Sequence, residues 1–507
     1  MNNKVDLTKG RIAFQLTRVA LPIMLTSFIQ MAYNLTDLFW IGRLGTGAVA
    51  ALGSAGFFMW LGMSLILCTK IGLEVTVAQS AGKNDTEAMK HFIKNGLMLS
   101  VLLITIYSLF IFIFSRTLIH FFKLGDDVHG FNPTLNGIVY LRILSCGMLF
   151  AFMSPCCSAI YNGLGKSKLP FYYNSIGLGL NMLLDPLLIY GFWIFPRMEV
   201  RGAAIATVIA QATVILLFAL SFRKNFHYLK NVTTTTLCHS EQAEESRRCF
   251  VPQHDKKLEP ILYKEYCYKI LKIGFPPACQ CVLFASIAIV IARIISDWGP
   301  IAIAVQRLGS QMEAISWMTA GGFSTAISAF VGQNYGAGQM SRVWHGFKTA
   351  MYIMTGVGLL TTAVLYFFPE QLYRIFVDDH ETIRQGVIYL KIIAYSQLFM
   401  CLEMSTAGAF NGLGKSMPPS IVGAFFNFLR IPGAIVLSAM IGLSGIWWSI
   451  GGSSILKGIV LLVWFVVYFK KNFHDSISST PVIFIGKQFI CDFFTRKNKR
   501  VISSVNF

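Results

Sequence analysis

About twelve windows of some 19 apolar residues follow one another along this chain, and that recurrence decides most of what it can become. A bilayer core offers the backbone no hydrogen-bonding partner, so a segment that crosses it must satisfy its own N–H and C=O groups, and for single segments that means a helix. The first six windows lie near 14–40, 48–77, 92–114, 135–159, 169–194 and 202–222. The second six lie near 268–295, 301–331, 347–368, 386–409, 420–440 and 445–469. Only 13% of the residues are charged, against about 25% in soluble domains, which excludes an ordinary soluble fold. The opening stretch is polar and basic, and the apolar run after it is too long for a signal peptide, so the first span is expected to stay.

Internal similarity organises these spans. Tyr161-Asn-Gly-Leu-Gly-Lys-Ser167 is answered by Phe410-Asn-Gly-Leu-Gly-Lys-Ser416, and Val77-Ala-Gln-Ser-Ala-Gly82 by Val331-Gly-Gln-Asn-Tyr-Gly336. Ala20-Leu-Pro22 pairs with Gly274-Phe-Pro276, and Tyr140-Leu-Arg-Ile143 with Tyr389-Leu-Lys-Ile392. Pairs in the same order at a near-constant offset of about 250 residues identify a duplication. The expectation is an all-α integral membrane fold of twelve transmembrane helices in two pseudo-symmetric six-helix bundles. An even number of spans in each half inserts both halves the same way round, an arrangement suited to alternating access. The domain reading is an N-lobe over 1–222, a disordered cytoplasmic linker over 223–265, a C-lobe over 266–469 and a basic cytoplasmic tail over 470–507.

The net charge of +19 is read as topology. Lys9, Arg11, Lys83, Lys90, Lys94, Lys166, Lys168, Arg342, Lys348, Lys415, Lys470 and Lys471 fall in connections on one side, which makes both termini cytoplasmic. Nucleic-acid binding is then an unnecessary explanation. Seven of the cysteines fall inside apolar segments, and Cys279 and Cys281 have no metal-spaced partners, so neither a disulfide framework nor a metal cluster is expected.

Ionisable residues inside the spans carry the function. An Asp at a helix centre costs about 2.5–3.5 kcal/mol on insertion scales and needs a partner, water or a role. Span 1 carries Thr26, Gln30, Tyr33, Asn34 and Asp37 along one face, read as a cavity lining. Span 5 carries Asn174, Asn181 and Asp185, with Asn181 and Asp185 one turn apart and Pro186 next. Thr207 and Gln211 add a smaller pair in span 6. Two carboxylates converging with amides and a hydroxyl suit a proton or a sodium ion. In the second half, Glu313, Glu403, Arg307 and Arg430 are intramembrane. An internally paired network and a substrate role are both open for them, and Gln306, Ser310 and Glu313 share a helical face. Lys70 and Glu74 read as an ion pair on the cytoplasmic rim.

The opening LPIMLTSFIQMAYNLTDLFWIGRLGTGAVAALG, the VAQ…G and VGQ…G turns, the paired NGLGKS turns and NMLLDPLLIYG together resemble the multidrug and toxic compound extrusion family. The resemblance spans nearly the whole chain apart from linker and tail. It implies an exporter of small cationic, amphipathic organic compounds, driven by re-entry of a proton or sodium ion across a bacterial inner membrane. It carries the family's cation-coupling site onto Asp37, Asn181, Asp185 and Thr207, with Asp37, Asn181 and Asp185 as candidate sodium ligands. Gln30, Tyr33, Asn34, Asn162, Gln306, Glu313 and Glu403 are the substrate-cavity candidates. One branch of the family places a Glu in span 7, and the matching stretch 278–288 has none, which favours the branch called DinF-like. Contact with membrane lipid, a monomeric state, no cofactor, no nucleic-acid partner and no enzymatic activity complete the expectations. The alternative is a lipid-linked oligosaccharide flippase of the wider superfamily. An enzyme reading rests only on Asp126-Asp127 and Asp378-Asp379, which sit in matching outer loops and are better explained as a repeated turn.

Overall fold

A computed structural model describes residues 6–44, 46–122, 132–191, 196–240 and 263–473. Among them are twelve long helices and one short one. The first half holds α1 (Ile12–Gly42), α2 (Thr46–Gly82), α3 (Thr86–His120), α4 (Pro133–Gly163), α5 (Lys168–Tyr190) and α6 (Glu199–Ser240). The second half holds α7 (Lys264–Ser296), α8 (Pro300–Gly336), α9 (Met340–Phe367), the six-residue α10 (Pro369–Arg374), α11 (His380–Gly412), α12 (Met417–Ile441) and α13 (Leu443–Asn472). Eleven of the long helices are apolar enough to cross a bilayer. The exception is α5, whose apolar run is broken by Asn174, Asn181 and Asp185. The weakest span by hydropathy is thus the one richest in candidate chemistry.

Helix boundaries follow local signals. Asp85 accepts from the Ala88 N–H at 2.9 Å and starts α3, while Asn132 accepts from the Leu135 N–H at 2.8 Å just ahead of Pro133 and starts α4. The two NGLG turns end α4 and α11 in one geometry. Gly165 and Gly414 both take a left-handed conformation, with φ of 72° and 75°. Their neighbours Lys166 and Lys415 both donate back to the residue five earlier, Tyr161 O at 2.8 Å and Phe410 O at 2.9 Å. The repeat read from the sequence is therefore a repeat of backbone geometry. One boundary differs. The sequence ended span 6 near Phe222 and began a disordered linker there, yet the α6 backbone stays helical to Ser240. Residues 241–262, the rest of that linker, and the tail from 474 lie outside the described residues, as do Asp126 and Asp127.

Packing among the described residues ties the two largest cores together by exchange. One core gathers Leu73, Val77, Ile104, Leu141, Met148 and Ile160 from α2, α3 and α4, and it includes Ile270 of α7. The other gathers Phe330, Phe347, Phe410 and Phe465 from α8, α9, α11 and α13, and it includes Leu7, Leu16 and Val19 from the start of the chain. Each half thus lends the beginning of its first helix to the core of the other half. Glycine makes both crossings close: a Cβ on Gly274 of α7 would stand 1.6 Å from the Cys68 carbonyl oxygen of α2, and one on Gly322 of α8 would stand 2.8 Å from Met24 Cα of α1. On the outside of the bundle, Leu102, Ile106, Leu109 and Ile113 of α3 are exposed in a stripe, as a lipid-facing helix requires.

Candidate cation site and the charge cluster of the second half

The polar residues of α1, α5 and α6 meet where the sequence placed them. Asp185 and Asn181 are fully buried, and the Asn181 amide donates to Asp185 Oδ1 at 3.1 Å, one helical turn apart. The Asp37 carboxylate of α1 faces Asp185 and Asn181, and the Thr207 hydroxyl of α6 reaches Asp37 Oδ2 at 3.5 Å while donating to its own Ala203 carbonyl at 3.0 Å. Tyr33, one turn before Asp37, lies close enough to feel both carboxylates. Its hydroxyl has room because position 177 is glycine: a Cβ there would come within 2.5 Å of the hydroxyl oxygen.

Hydrogen-bond satisfaction is uneven in this cluster. Tyr33 OH, Asp37 Oδ1, Asn181 Oδ1 and Asp185 Oδ2 are all buried without a protein partner. Buried polar atoms ordinarily find one, because an unmet donor or acceptor costs about 1–3 kcal/mol. Three unmet acceptor oxygens in one place, two of them from carboxylates, beside a tyrosine hydroxyl that can also donate, form an acceptor-rich pocket complementary to positive charge. A proton shared between the carboxylates fits, and so does a sodium ion, which takes several oxygen ligands. Among the described residues there is no group of three His, Cys, Asp or Glu side chains that would hold a transition metal.

Of the other candidates, Gln30 is exposed, and Thr26 bonds back to the Pro22 carbonyl at 2.8 Å. The Asn34 side chain lies outside the described residues. Asn162 is buried beside the α4 turn with its Oδ1 unpartnered.

In the second half, the Tyr389 hydroxyl of α11 makes a short hydrogen bond to Glu313 of α8 and receives the Gln306 amide at 3.4 Å. Arg430 of α12 is fixed by Ser453 and Ser454 of α13, each at 2.8 Å, and sits in the field of both Glu313 and Glu403. Glu403 of α11 is buried and paired with Lys457 of α13 at 3.0 Å. For Glu403, then, the geometry is that of the internally paired network. Arg307 is exposed and stands apart from it.

Lys457 escaped the sequence reading, and Tyr140 and Glu74 stand in it without the contacts they make. Lys457 is a lone lysine in the middle of the last span, and the cost of burying a charge was signal enough to single it out. Tyr140 of α4 is buried facing Asp37 and Asp185. Its repeat partner is Tyr389, so each half sets the same tyrosine against its own acid, and the YLRI and YLKI pair carried that signal. Glu74 was read as half of a rim ion pair with Lys70. The Lys70 charge does act on it, but Glu74 is buried between the halves rather than on a rim, and its carboxylate meets Ser328 of α8. Alternating polarity at i, i+4 cannot distinguish a solvent rim from an interface between two lobes.

Comparison with known proteins agrees with the fold. A family-wide sequence model described as MatE matches residues 22–187 and 276–436, which together include most of α5 and most of both repeats. The chain is 26% identical over 469 residues to the probable multidrug resistance protein NorM of Thermotoga maritima, covering 89% of this chain and 92% of that one. It is 26% identical over 466 residues to the probable multidrug resistance protein YpnP of Bacillus subtilis, covering 91% and 96%. The crystal structure of a MATE protein in complex with MaD5 superposes with a TM-score of 0.79 at 20% identity, covering 93% of this chain and 99% of that chain.

Proposed function

The chain belongs to the MatE family, and from that premise we propose that it is an ion-coupled antiporter that exports cationic, amphipathic organic compounds across a bacterial inner membrane. Two of its relatives are named as probable multidrug resistance proteins, and its own architecture is that of a multi-pass membrane transporter in two six-helix lobes. The observation that carries the coupling is the cluster of unmet buried oxygens at Tyr33, Asp37, Asn181 and Asp185.

With the site empty, two facing carboxylates repel each other in a medium of low dielectric, so α1 and α5 are held together at a cost. Entry of a cation removes the repulsion and draws the two helices together. Thr207 adds an acceptor from α6. Because α1 also packs in the core of the second half, a shift of α1 against α5 is transmitted directly to the contact between lobes. That linkage gives a physical route from ion binding to exchange of the cavity between the two sides. Orientation follows the lysine and arginine asymmetry, with both termini cytoplasmic, and the protein works as a monomer without a cofactor.

Ethidium efflux from vesicles with pH and sodium gradients imposed separately tests the reading and names the ion. Efflux that follows one gradient and collapses with it supports coupling. Efflux indifferent to both would remove it.

A further inference from the structure

The halves are joined at the end of the bundle where α1 begins, and the join is reciprocal. Gln79, in the last turn of α2, donates through Nε2 to the Gly412 carbonyl at the end of α11, at 3.0 Å. Gln333, its repeat partner in α8, donates through Nε2 to the Gly163 carbonyl at the end of α4, at 2.7 Å. The last four carbonyls of a helix have no partner within it, so each NGLG turn, by ending its helix, creates the acceptor that the opposite lobe's glutamine takes. The same exchange appears in the backbone: a Cβ on Gly82 would stand 1.9 Å from the Gln333 carbonyl oxygen, and one on Gly336 would stand 2.1 Å from that of Gln79. Two helices can cross this closely at these points only because both residues are glycine.

The join is not fully symmetric. Gln333 Oε1 also accepts the Leu7 N–H at 3.2 Å, and the Leu7 carbonyl accepts Asn334 at 3.2 Å and Arg342 at 3.3 Å. Arg342 goes on to bind the carbonyls of Lys9 at 3.0 Å and Gly10 at 2.8 Å. Leu7 itself is fully buried in the second core. Gln333 is thus a three-way junction of both lobes and the N-terminal segment, whereas Gln79 joins the lobes alone.

We propose that Gln79 and Gln333 are the latches that close the inner end of the transport path, with the segment around Leu7 seated on the Gln333 latch so that the second latch is the stronger. The proposal rests on the transporter reading. A latch of this kind suits a gate because it is cheap to open: the freed carbonyls at helix ends and the freed amides pass to water, so each net hydrogen bond holds the closed state by about threefold to tenfold.

The test is the distance between nitroxide labels at Lys83→Cys and Lys415→Cys, exposed positions on opposite lobes at the latched end, in a background lacking the native cysteines and reconstituted in nanodiscs. Gln79→Met and Gln333→Met remove the amide and keep most of the volume. Together they should move the ratio of short to long distances toward long by about tenfold or more, and Gln333→Met alone should move it further than Gln79→Met alone. If either methionine variant fails to fold, the asparagine replacements, shorter by one methylene, should give the same order. An unchanged distribution in the double variant overturns the latch, and equal effects of the two single variants overturn the asymmetry. The measurement needs no transport. A shift in a protein that exports nothing would keep the latch and remove the function, whereas coupled efflux with unmoved distances would do the reverse.

Discussion

Removing Lys457 should damage the protein more than removing the pair it belongs to. The charge cluster of the second half balances two acids, half-buried Glu313 and buried Glu403, with two bases, half-buried Arg430 and buried Lys457. Lys457→Met leaves it one negative charge in excess, and Glu403→Gln leaves it one positive charge in excess. At 3.0 Å the Lys457–Glu403 attraction is about 5 kcal/mol for an effective dielectric near 20. Both side chains are about nine-tenths buried, so desolvation consumes most of this attraction while the pair is intact. That cost stays in full when one member is lost, and single removal from such pairs costs about 3–5 kcal/mol. The double variant Glu403→Gln/Lys457→Met restores neutrality and should lie within about 1–2 kcal/mol of the starting protein, because replacing a whole buried pair is often close to neutral. For a cooperative unit the size of one lobe, with about 2–4 °C per kcal/mol, each single change lowers the melting temperature by about 6–20 °C. Heating purified protein in one detergent, followed by size exclusion, measures all three variants. Single variants that melt within about 2 °C of the parent, or a double variant as unstable as the two losses added, would refute the reasoning.

Two further outcomes follow from the same structure. An impermeant maleimide added to intact cells should leave Cys238 and Cys249 unlabelled, since the linker between the lobes is cytoplasmic in the orientation proposed, and ready labelling would reverse it. Asp379, in the loop ahead of α11, caps that helix, its carboxyl held below the usual value of 3.8 by the Thr382 hydroxyl and backbone N–H. A depressed pKa means that the cap is in place at neutral pH and is lost only as pH falls through that lowered value. Hydrogen exchange at Thr382 should therefore be slow at pH 7 in the parent and fast in Asp379→Ala, and equal rates would show that the cap contributes nothing.

Much of this was legible in the sequence because the bilayer simplifies the problem. Apolar length fixes where the helices run, and the duplicated NGLGKS and Gln-containing turns fix how the halves correspond, down to the left-handed glycines at 165 and 414. That Asp37, Asn181, Asp185 and Thr207 meet has a related reason: polar atoms in a span must face something, and three spans carry them on one face each. What the sequence could not supply was partnership across helices distant in the chain. Glu74 looked like half of a local ion pair because Lys70 precedes it by one turn, and only the packing of α2 against α8 makes it an interface residue. Tyr140 looked like a marker of the repeat, and only the approach of α4 to α1 and α5 sets it against the aspartates. The reach of the N-terminal segment into the second core has no periodic signature at all, since Leu7 lies ahead of the first helix in a short polar stretch.

Gradient-driven efflux from liposomes decides whether the proposed coupling resides at Asp37 and Asp185. Asp37→Asn and Asp185→Asn should each fold and express, because an amide is cheaper to bury than a carboxylate, and each should export no faster with an ion gradient than without one. Glu313→Gln, in the other lobe, should slow or narrow export while keeping its dependence on the gradient. Coupling at the parental level in both aspartate variants would contradict the account and move the ion to Glu313 or Glu403.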